Sequence, residues 1–370
     1  MNTPAHAPVH APPLQFPWGA ELPTPGQALE VADGVYWLRM ALPFALDHIN
    51  LWLLRDQLPD PRDPSHMREG WTVVDCGIDN AATRAAWGQV AEQVLQGLPI
   101  LRVLVTHMHP DHMGLAHWLC EQWQAPLWMN TTEYQSALLA CSGASNFGGD
   151  KTQAFFAQHG WTSPEDMAQV RERVGYYSGM VPRVPDAYHR LMDGQVVRIG
   201  QRQWRCISGH GHSPEHIALY AEDSNLLISG DMLLPSISTN VSVYSQEPDS
   251  NALQWFLDSL ARMDTVPDTC LVLPSHGRPF KGAQARIAQY QAHHRERLDD
   301  LLQACTEQAR CAHELLPVLF KRALNLHQTT FAMGEAIAHL NALWHAGQVR
   351  RQLDADGIYR FQSSGVPKAD

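Results

Sequence analysis

From Gly34 onward the chain shows three strand-like runs, Val35 to Met40, Ile49 to Leu54 and Trp71 to Asp75, separated by turn-rich links such as Pro59 to Pro64. A helix is expected over Ala81 to Gln96. Strand and helix then alternate through Leu101 to Thr106, Asp111 to Trp123 and Pro126 to Met129. Strands return between Gln195 and Ser229, followed by a helix over Asn251 to Met263 and a short apolar run from Cys270 to Leu273. This order predicts an α/β protein with helices packed outside two sheets.

Two stretches stand apart from that rhythm. Thr131 to Asp193 is longer than a connection requires and is expected to cap a site on the body. Within it, Ser163-Pro164-Glu165-Asp166 offers an N-cap residue, a proline at the first helical position and acids in the first turn, predicting a helix from Pro164 to about Tyr177. Tyr176, Tyr177 and Met180, with Phe147, Phe155, Phe156 and Trp161, either line an apolar substrate pocket or pack the cap onto the body. From Lys281 a helical stretch leads to helices over Ala312 to Ala323 and Phe331 to Ala346, then a hairpin around Asp354-Ala355-Asp356-Gly357. The expected organisation is an arm over 1–26, a body over 27–285 with the cap at 131–193, and a helical linker with a small domain over 286–370.

The chemistry concentrates at Thr106-His107-Met108-His109-Pro110-Asp111-His112-Met113-Gly114, directly after the apolar run Leu101 to Val105. A turn leaving a buried strand can present His107 and His109 on one side while Asp111 and His112 open the next helix. Three further groups follow at strand ends: Gly211-His212-Ser213-Pro214-Glu215-His216, Ile228-Ser229-Gly230-Asp231 and Leu273-Pro274-Ser275-His276-Gly277.

HMHPDH, GHSPEH, SGD and PSHG in this order resemble the metallo-beta-lactamase superfamily of binuclear metal hydrolases over roughly residues 27 to 285. The resemblance implies an αβ/βα sandwich. It implies that His107, His109 and His212 hold one ion, that Asp111, His112 and His276 hold a second, and that Asp231 bridges them. It also places Asp75 behind the ligands, where it orients a histidine, although a turn role for Asp75 is nearly as good a reading. His210 and His216, beside His212, are read as supporting or structural. The C-terminal helix, helix, hairpin order resembles the winged-helix domain that follows this fold in the lactamase-like endoribonucleases.

Imidazole and carboxylate ligands without cysteine suit two zinc ions, with iron or manganese also compatible. Two such ions would lower the pKa of a water to about 7 and so supply a nucleophile at neutral pH, with Asp111 expected to orient it or take its proton. No HExxH, GxSxG, Walker A loop or paired CxxC competes as a catalytic core. The reaction class is hydrolysis.

Charge and cysteine content narrow the partners. A net charge of -11 gives no general attraction to nucleic acid or an anionic membrane. Residues 312–370 carry six Lys or Arg against five Asp or Glu, so the terminal domain is expected to pack or dimerise. Seven irregularly spaced cysteines fit reduced thiols in a cytoplasmic protein. The Pro/Ala-rich first 26 residues are expected to be a flexible arm and not a signal peptide, and no segment approaches 18 uninterrupted apolar residues.

The ligand set resembles glyoxalase II, lactonases and thioesterases more than the strict beta-lactamases, which usually carry a cysteine or a differently ordered set. The basic residues that hold glutathione in glyoxalase II have no counterpart. The expected substrate is a small molecule, an acyl thioester or activated ester or lactone with an apolar acyl part. The alternatives are a metal-dependent phosphodiesterase or ribonuclease, a mononuclear iron persulfide dioxygenase, and a nucleic-acid-binding protein with a relic site.

Overall fold

The computed structural model describes residues 13–143 and 148–365. Seven strands form the first sheet in sequence order: β1 (Leu29–Ala32), β2 (Val35–Ala41), β3 (His48–Asp60), β4 (Asp63–Val74), β5 (Ile100–Leu104), β6 (Leu127–Asn130) and β7 (Tyr188–Leu191). The second sheet is ordered β12-β11-β10-β9-β8, from β8 (Val196–Ile199), β9 (Arg202–Gly209), β10 (His216–Ala221), β11 (Leu226–Gly230) and β12 (Leu271–Pro274). A C-terminal hairpin pairs β13 (Val349–Leu353) with β14 (Tyr359–Ser363).

Alternation along the strands decides the layers. In β3, Trp52 and Leu54 point into the core between the sheets while Ile49, Leu51 and Leu53 point outward to a helix-covered core. In β10, Ile217, Leu219 and Ala221 face the first sheet, whereas Ala218 and Tyr220 face the opposite helices. Both faces of each central strand are therefore buried, as an αβ/βα sandwich requires. The inter-sheet core is tied by a buried ion pair, Arg102 Nη2 to Asp56 Oδ2 at 2.6 Å. Arg102 also donates to the Arg198 carbonyl (2.8 Å), and Asp56 Oδ1 accepts from Gly200 N–H (2.9 Å), joining the two sheets.

The helices are α1 (Ala81–Gln93), α2 (Pro110–Met113), α3 (Ala116–Trp123), α4 (Thr131–Cys141), α5 (Gly149–Gln158), α6 (Pro164–Glu172), α7 (Ala252–Ala261), α8 (Ala283–Glu307), α9 (Leu316–Leu319) and α10 (Leu326–His345). Residues from α5 and α6, the second sheet, α7, α8 and α10, and β14 share one continuous apolar core. No helix among the described residues is long and apolar enough to cross a membrane. All seven cysteines are free thiols.

Several expected boundaries move. The link Pro59 to Pro64 is the tip of a long hairpin, because β3 and β4 keep pairing out to Asp60 and Asp63. The helix expected over Asp111 to Trp123 is two helices, broken where Gly114 packs against the chain after β4; a Cβ there would lie 2.6 Å from the Gly77 carbonyl oxygen. α6 ends at Glu172 and passes into a short 3-10 turn, so Tyr176 and Tyr177 lie beyond it. The helix expected over Ala312 to Ala323 shrinks to a 3-10 turn and α9, after which Phe320 is extended. α10 starts five residues before Phe331, where Asn325 and Gln328 form a reciprocal capping box.

The arm is corrected for residues 13–26. Gln15 and Lys281 exchange backbone hydrogen bonds (3.1 and 2.8 Å), Leu14 packs on the outer core and Trp18 on the inter-sheet core. Residues 1–12 lie outside the described residues, as does Phe147 of the cap. Phe155, Phe156 and Trp161 pack the cap onto the body.

Three buried imidazoles make this core acid-sensitive. Burial pushes His159 down to about 4 and His339 to about 4; burial and then His339 push His294 to about 3. These rings stay neutral when folded, while the unfolded chain binds protons below 6.5. Stability is therefore expected to be full above that value and to fall as pH drops toward 4, by on the order of 3 kcal/mol for a ring as buried as His159. Urea denaturation at pH 7 and pH 4.5 checks it, with His159→Phe removing part of the drop. A flat profile would contradict it.

Candidate metal centre

The site is built where strand ends meet. β4 and β5 run parallel, as do β11 and β12, so Asp75, the turn after Leu104, Asp231 and His276 emerge at one edge. The loop between β9 and β10 brings His212 to the same edge. Catalytic groups collect there because the strands end and leave loops free to carry polar side chains.

The structure gathers all seven expected ligands. His107 Nε2 lies 2.9 Å from His109 Nδ1 and 3.2 Å from His212 Nε2. His276 Nε2 lies 3.3 Å from Asp111 Oδ2, and His112 Nε2 lies 3.7 Å from the same oxygen. Asp231 stands between the two sets: its Oδ2 is 3.2 Å from His212 Nε2, and its Oδ1 is 3.4 Å from His276 Nε2 and 3.5 Å from His112 Nε2. Each oxygen of one carboxylate thus addresses one half of the cluster.

The opposite ring nitrogens are already committed. His212 donates from Nδ1 to the Asn240 carbonyl (2.7 Å), His276 from Nδ1 to the His48 carbonyl (2.8 Å), and His112 from Nδ1 to Asp75 Oδ2 (2.8 Å). His107 Nδ1 meets Thr106 Oγ1 at 3.1 Å, and that hydroxyl in turn donates to Asp75 at 2.9 Å. The Nε2 atoms of His107 and His212 therefore face each other as lone pairs. Such a pair 3.2 Å apart repels unless a cation lies between, and among the described residues buried His112 Nε2 and Asp231 Oδ1 have no hydrogen-bond partner. The donor set fits divalent metal ions.

Asp75 stands behind the cluster in contact with His112, and it is also a turn residue. It sits at φ 62°, its own N–H donates to the Leu104 carbonyl (2.8 Å), and its carboxylate accepts from Thr106 N–H (2.8 Å) as well as His112. His216 supports Asp231: its Nε2 accepts the Asp231 N–H at 3.2 Å, and a Cβ on Gly230 would come within 2.1 Å of that nitrogen. Gly230 at φ +53° is the residue that lets the ring approach. His210 holds its loop, donating from its ring to the Pro214 carbonyl and from its backbone N–H to Ser259 Oγ of α7, each at 2.9 Å.

Electrostatics divide the cluster. Burial, then the His112 ring, holds His107 far below its ordinary value, and burial with His212 pushes His109 down to about 3. Both are neutral, as metal ligands must be. On the other side burial is outweighed by Asp231 and Asp111, which push His276 up to about 10, and by Asp75 and the same two acids at His112. Asp111, despite burial, is drawn down to about 2 by His112 and His276. Those carboxylates are charged and ready to take a cation in place of the protons.

Sequence reasoning missed three elements. Glu133, fully buried on α4, accepts Met108 N–H (2.8 Å), Ser213 Oγ–H (2.7 Å) and Glu215 N–H (2.6 Å), so one carboxylate ties the two histidine-bearing loops together. Its spacing from Asn130 reads as a capping box, which hides this long-range role. His48 carries His276 through its carbonyl and accepts Gly277 N–H at Nε2 (2.8 Å). No local signal marks it. The third is the outer wall of the site. A cavity of about 600 Å³ opens over His109, Asp111, His212, Asp231 and His276 and is walled by Leu42 to Leu46, Tyr176 and Met180, and by the C-terminal segment from Phe320 to Glu335. Of the cap residues offered for a pocket or for packing, Tyr176 and Met180 line the cavity. Tyr177 does not; it is fully buried in the helix-covered core and its hydroxyl donates to the Met108 carbonyl at 2.6 Å.

Fold and site together define a metal-dependent hydrolase. Residues 68–302 match the model of the metallo-beta-lactamase superfamily, and 298–364 match the metallo-beta-lactamase-like C-terminal domain. The chain belongs to the metallo-beta-lactamase superfamily. It is similar to a beta-lactamase domain protein from Burkholderia ambifaria of known crystal structure, with 49% identity and a TM-score of 0.88 over 95% of this chain and 98% of that one. It is 23% identical to the probable metallo-hydrolase YqjP of Bacillus subtilis, over 88% of this chain and 97% of the relative. It is 24% identical to the acyl-coenzyme A thioesterase MBLAC2 of Gallus gallus, over 68% of this chain and 80% of the relative.

Proposed function

We propose that this chain is a dinuclear zinc hydrolase of a small acyl substrate, a thioester or an activated ester or lactone with an apolar acyl part. The observation that carries this reading is the cavity, whose floor is formed by His109, Asp111, His212, Asp231 and His276 of the cluster and whose walls are Leu42, Phe44, Met180, Leu234, Phe320 and Phe331. An acyl chain suits those walls. Arg322, exposed on the cavity rim, suits an anionic carrier, and the likeness to an acyl-coenzyme A thioesterase points the same way. When bound, two divalent ions supply Lewis acidity and lower the pKa of a water. Asp111, charged at neutral pH, orients that water or accepts its proton, while Asp75 and Asn240 hold His112 and His212 in the orientation ligation needs.

The order of α9, α10 and the β13–β14 hairpin resembles that of a winged helix, which favours a phosphodiesterase or ribonuclease as the second reading. Against it, α10 contains no Lys or Arg, and its inner face lines the cavity. The test is an assay of zinc-loaded protein against acyl-CoA thioesters, lactones, bis-p-nitrophenyl phosphate and single-stranded RNA, with metal analysis. Turnover of acyl substrates with two zinc ions per chain is expected. RNA or phosphodiester turnover alone, or one iron per chain with persulfide oxidation, would overturn the reading.

A further inference from the structure

Three carboxyl groups line the cavity: Asp111 and Asp231, which belong to the ligand cluster, and Glu335, which does not. Glu335 comes from α10, on the face where Gln328, Phe331 and Ala332 also line the cavity, one to two helical turns apart. Its Oε2 accepts from Asn240 Nδ2 at 3.4 Å, and the backbone carbonyl of that same Asn240 receives His212 Nδ1 at 2.7 Å. The acid is thus joined through Asn240 to the expected ligand His212, and it lines the same cavity that opens over the cluster.

We propose that Glu335 is the general acid that protonates the leaving group. This assignment rests on the acyl-hydrolase reading above. As the oxygen of the attacking water adds to the acyl carbon, the bond from that carbon to the departing oxygen or sulfur breaks. The electron pair stays on the departing atom, which takes the proton from Glu335. The carboxylate then regains a proton from solvent, so that one water is consumed, its OH on the acyl product and its H, in sum, on the alcohol or thiol. The protonation state suits the task. Burial pushes Glu335 up to about 7, with Arg297 of α8 and the Asn240 amide pulling it only partly back. His339, whose Nδ1 donates to the Glu335 carbonyl at 2.8 Å, is held neutral by burial, and Asp231 and His212 stand across the same cavity.

A general acid matters in proportion to how poor the leaving group is, which separates this role from a structural one. Glu335→Gln retains an oxygen to accept from Asn240 and is expected to fold and to hold its metal. With a series of esters of one acyl group, the variant should lose about 100-fold in kcat for alkyl alcohol leaving groups, and much less for thiol or nitrophenol leaving groups. The plot of log kcat against leaving-group pKa should therefore be steeper than for the wild type. A carboxyl carbon resonance of the metal-loaded protein titrating near neutral pH should vanish in the variant. Parallel plots for the two proteins, or no such resonance, would overturn the role of Glu335 while leaving the hydrolase reading intact. No turnover of any acyl substrate by the wild type would overturn that reading, and this assignment with it.

Discussion

Asp231→Ala is expected to strip both halves of the metal centre and to lower hydrolysis by about 10³-fold or more, above the loss seen when one preorganised stabilising group is removed. The reason is its position. Oδ2 lies against His212, and Oδ1 against His112 and His276, so one carboxylate faces both sets. His112→Ala, in contrast, removes a ligand from the second set only and should leave one ion per chain. The fold should survive Asp231→Ala. The interactions that hold that turn, Asp231 N–H to His216 and the Asp231 carbonyl accepting from Thr239, use the backbone and remain. Metal analysis after dialysis, with circular dichroism as the control for folding, checks the prediction. Two ions per chain in a folded Asp231→Ala protein would contradict the bridging role.

Glu133→Gln should weaken metal binding by about 10- to 100-fold although Glu133 touches no ligand atom, the range seen when residues supporting metal ligands are replaced. All three partners of Glu133 are donors: Met108 N–H at one oxygen, Ser213 Oγ–H and Glu215 N–H at the other. A glutamine brings an NH₂ group, which must oppose one set whichever way it is turned. Met108 lies between His107 and His109, and Ser213 follows His212, so a displaced clamp shifts three ligands at once. Glu133→Ala leaves three donors unpaired and adds a stability loss of about 1–3 kcal/mol for each that stays buried. Competition with a zinc chelator measures the first effect and thermal unfolding the second. Unchanged zinc affinity in Glu133→Gln would remove Glu133 from the site.

The ligands were legible in the chain because they are local. His107 to His112 sit in the turn after a strand and the opening of the helix that follows, and His212, Asp231 and His276 each follow an apolar run ended by glycine or proline chemistry. The sandwich was legible for a similar reason, since strand and helix periodicities are properties of adjacent residues. Boundaries were less so. Pro59 to Pro64 has the composition of a loop, and only pairing with the neighbouring strand extends β3 and β4 to its tip. Ala312 to Ala323 has helical spacing, yet the chain there turns after α9 so that Phe320 can reach the cavity wall.

By itself the sequence determined the layered α/β body, because periodicity encodes it, and the order of HMHPDH, GHSPEH, SGD and PSHG, through its resemblance to the superfamily, pointed to the seven-residue cluster. Only the tertiary structure decided that the Nδ1 atoms of His112, His212 and His276 are committed to other partners, that Glu133 and His48 hold the ligand loops, and that Tyr177 is core while Tyr176 faces the cavity. It also decided that α10 closes the site and delivers Glu335 to it. Those contacts join residues far apart in the chain, Glu335 to Asn240 and Glu133 to Ser213 among them, and depend on which surfaces bury one another. No local pattern carries that information.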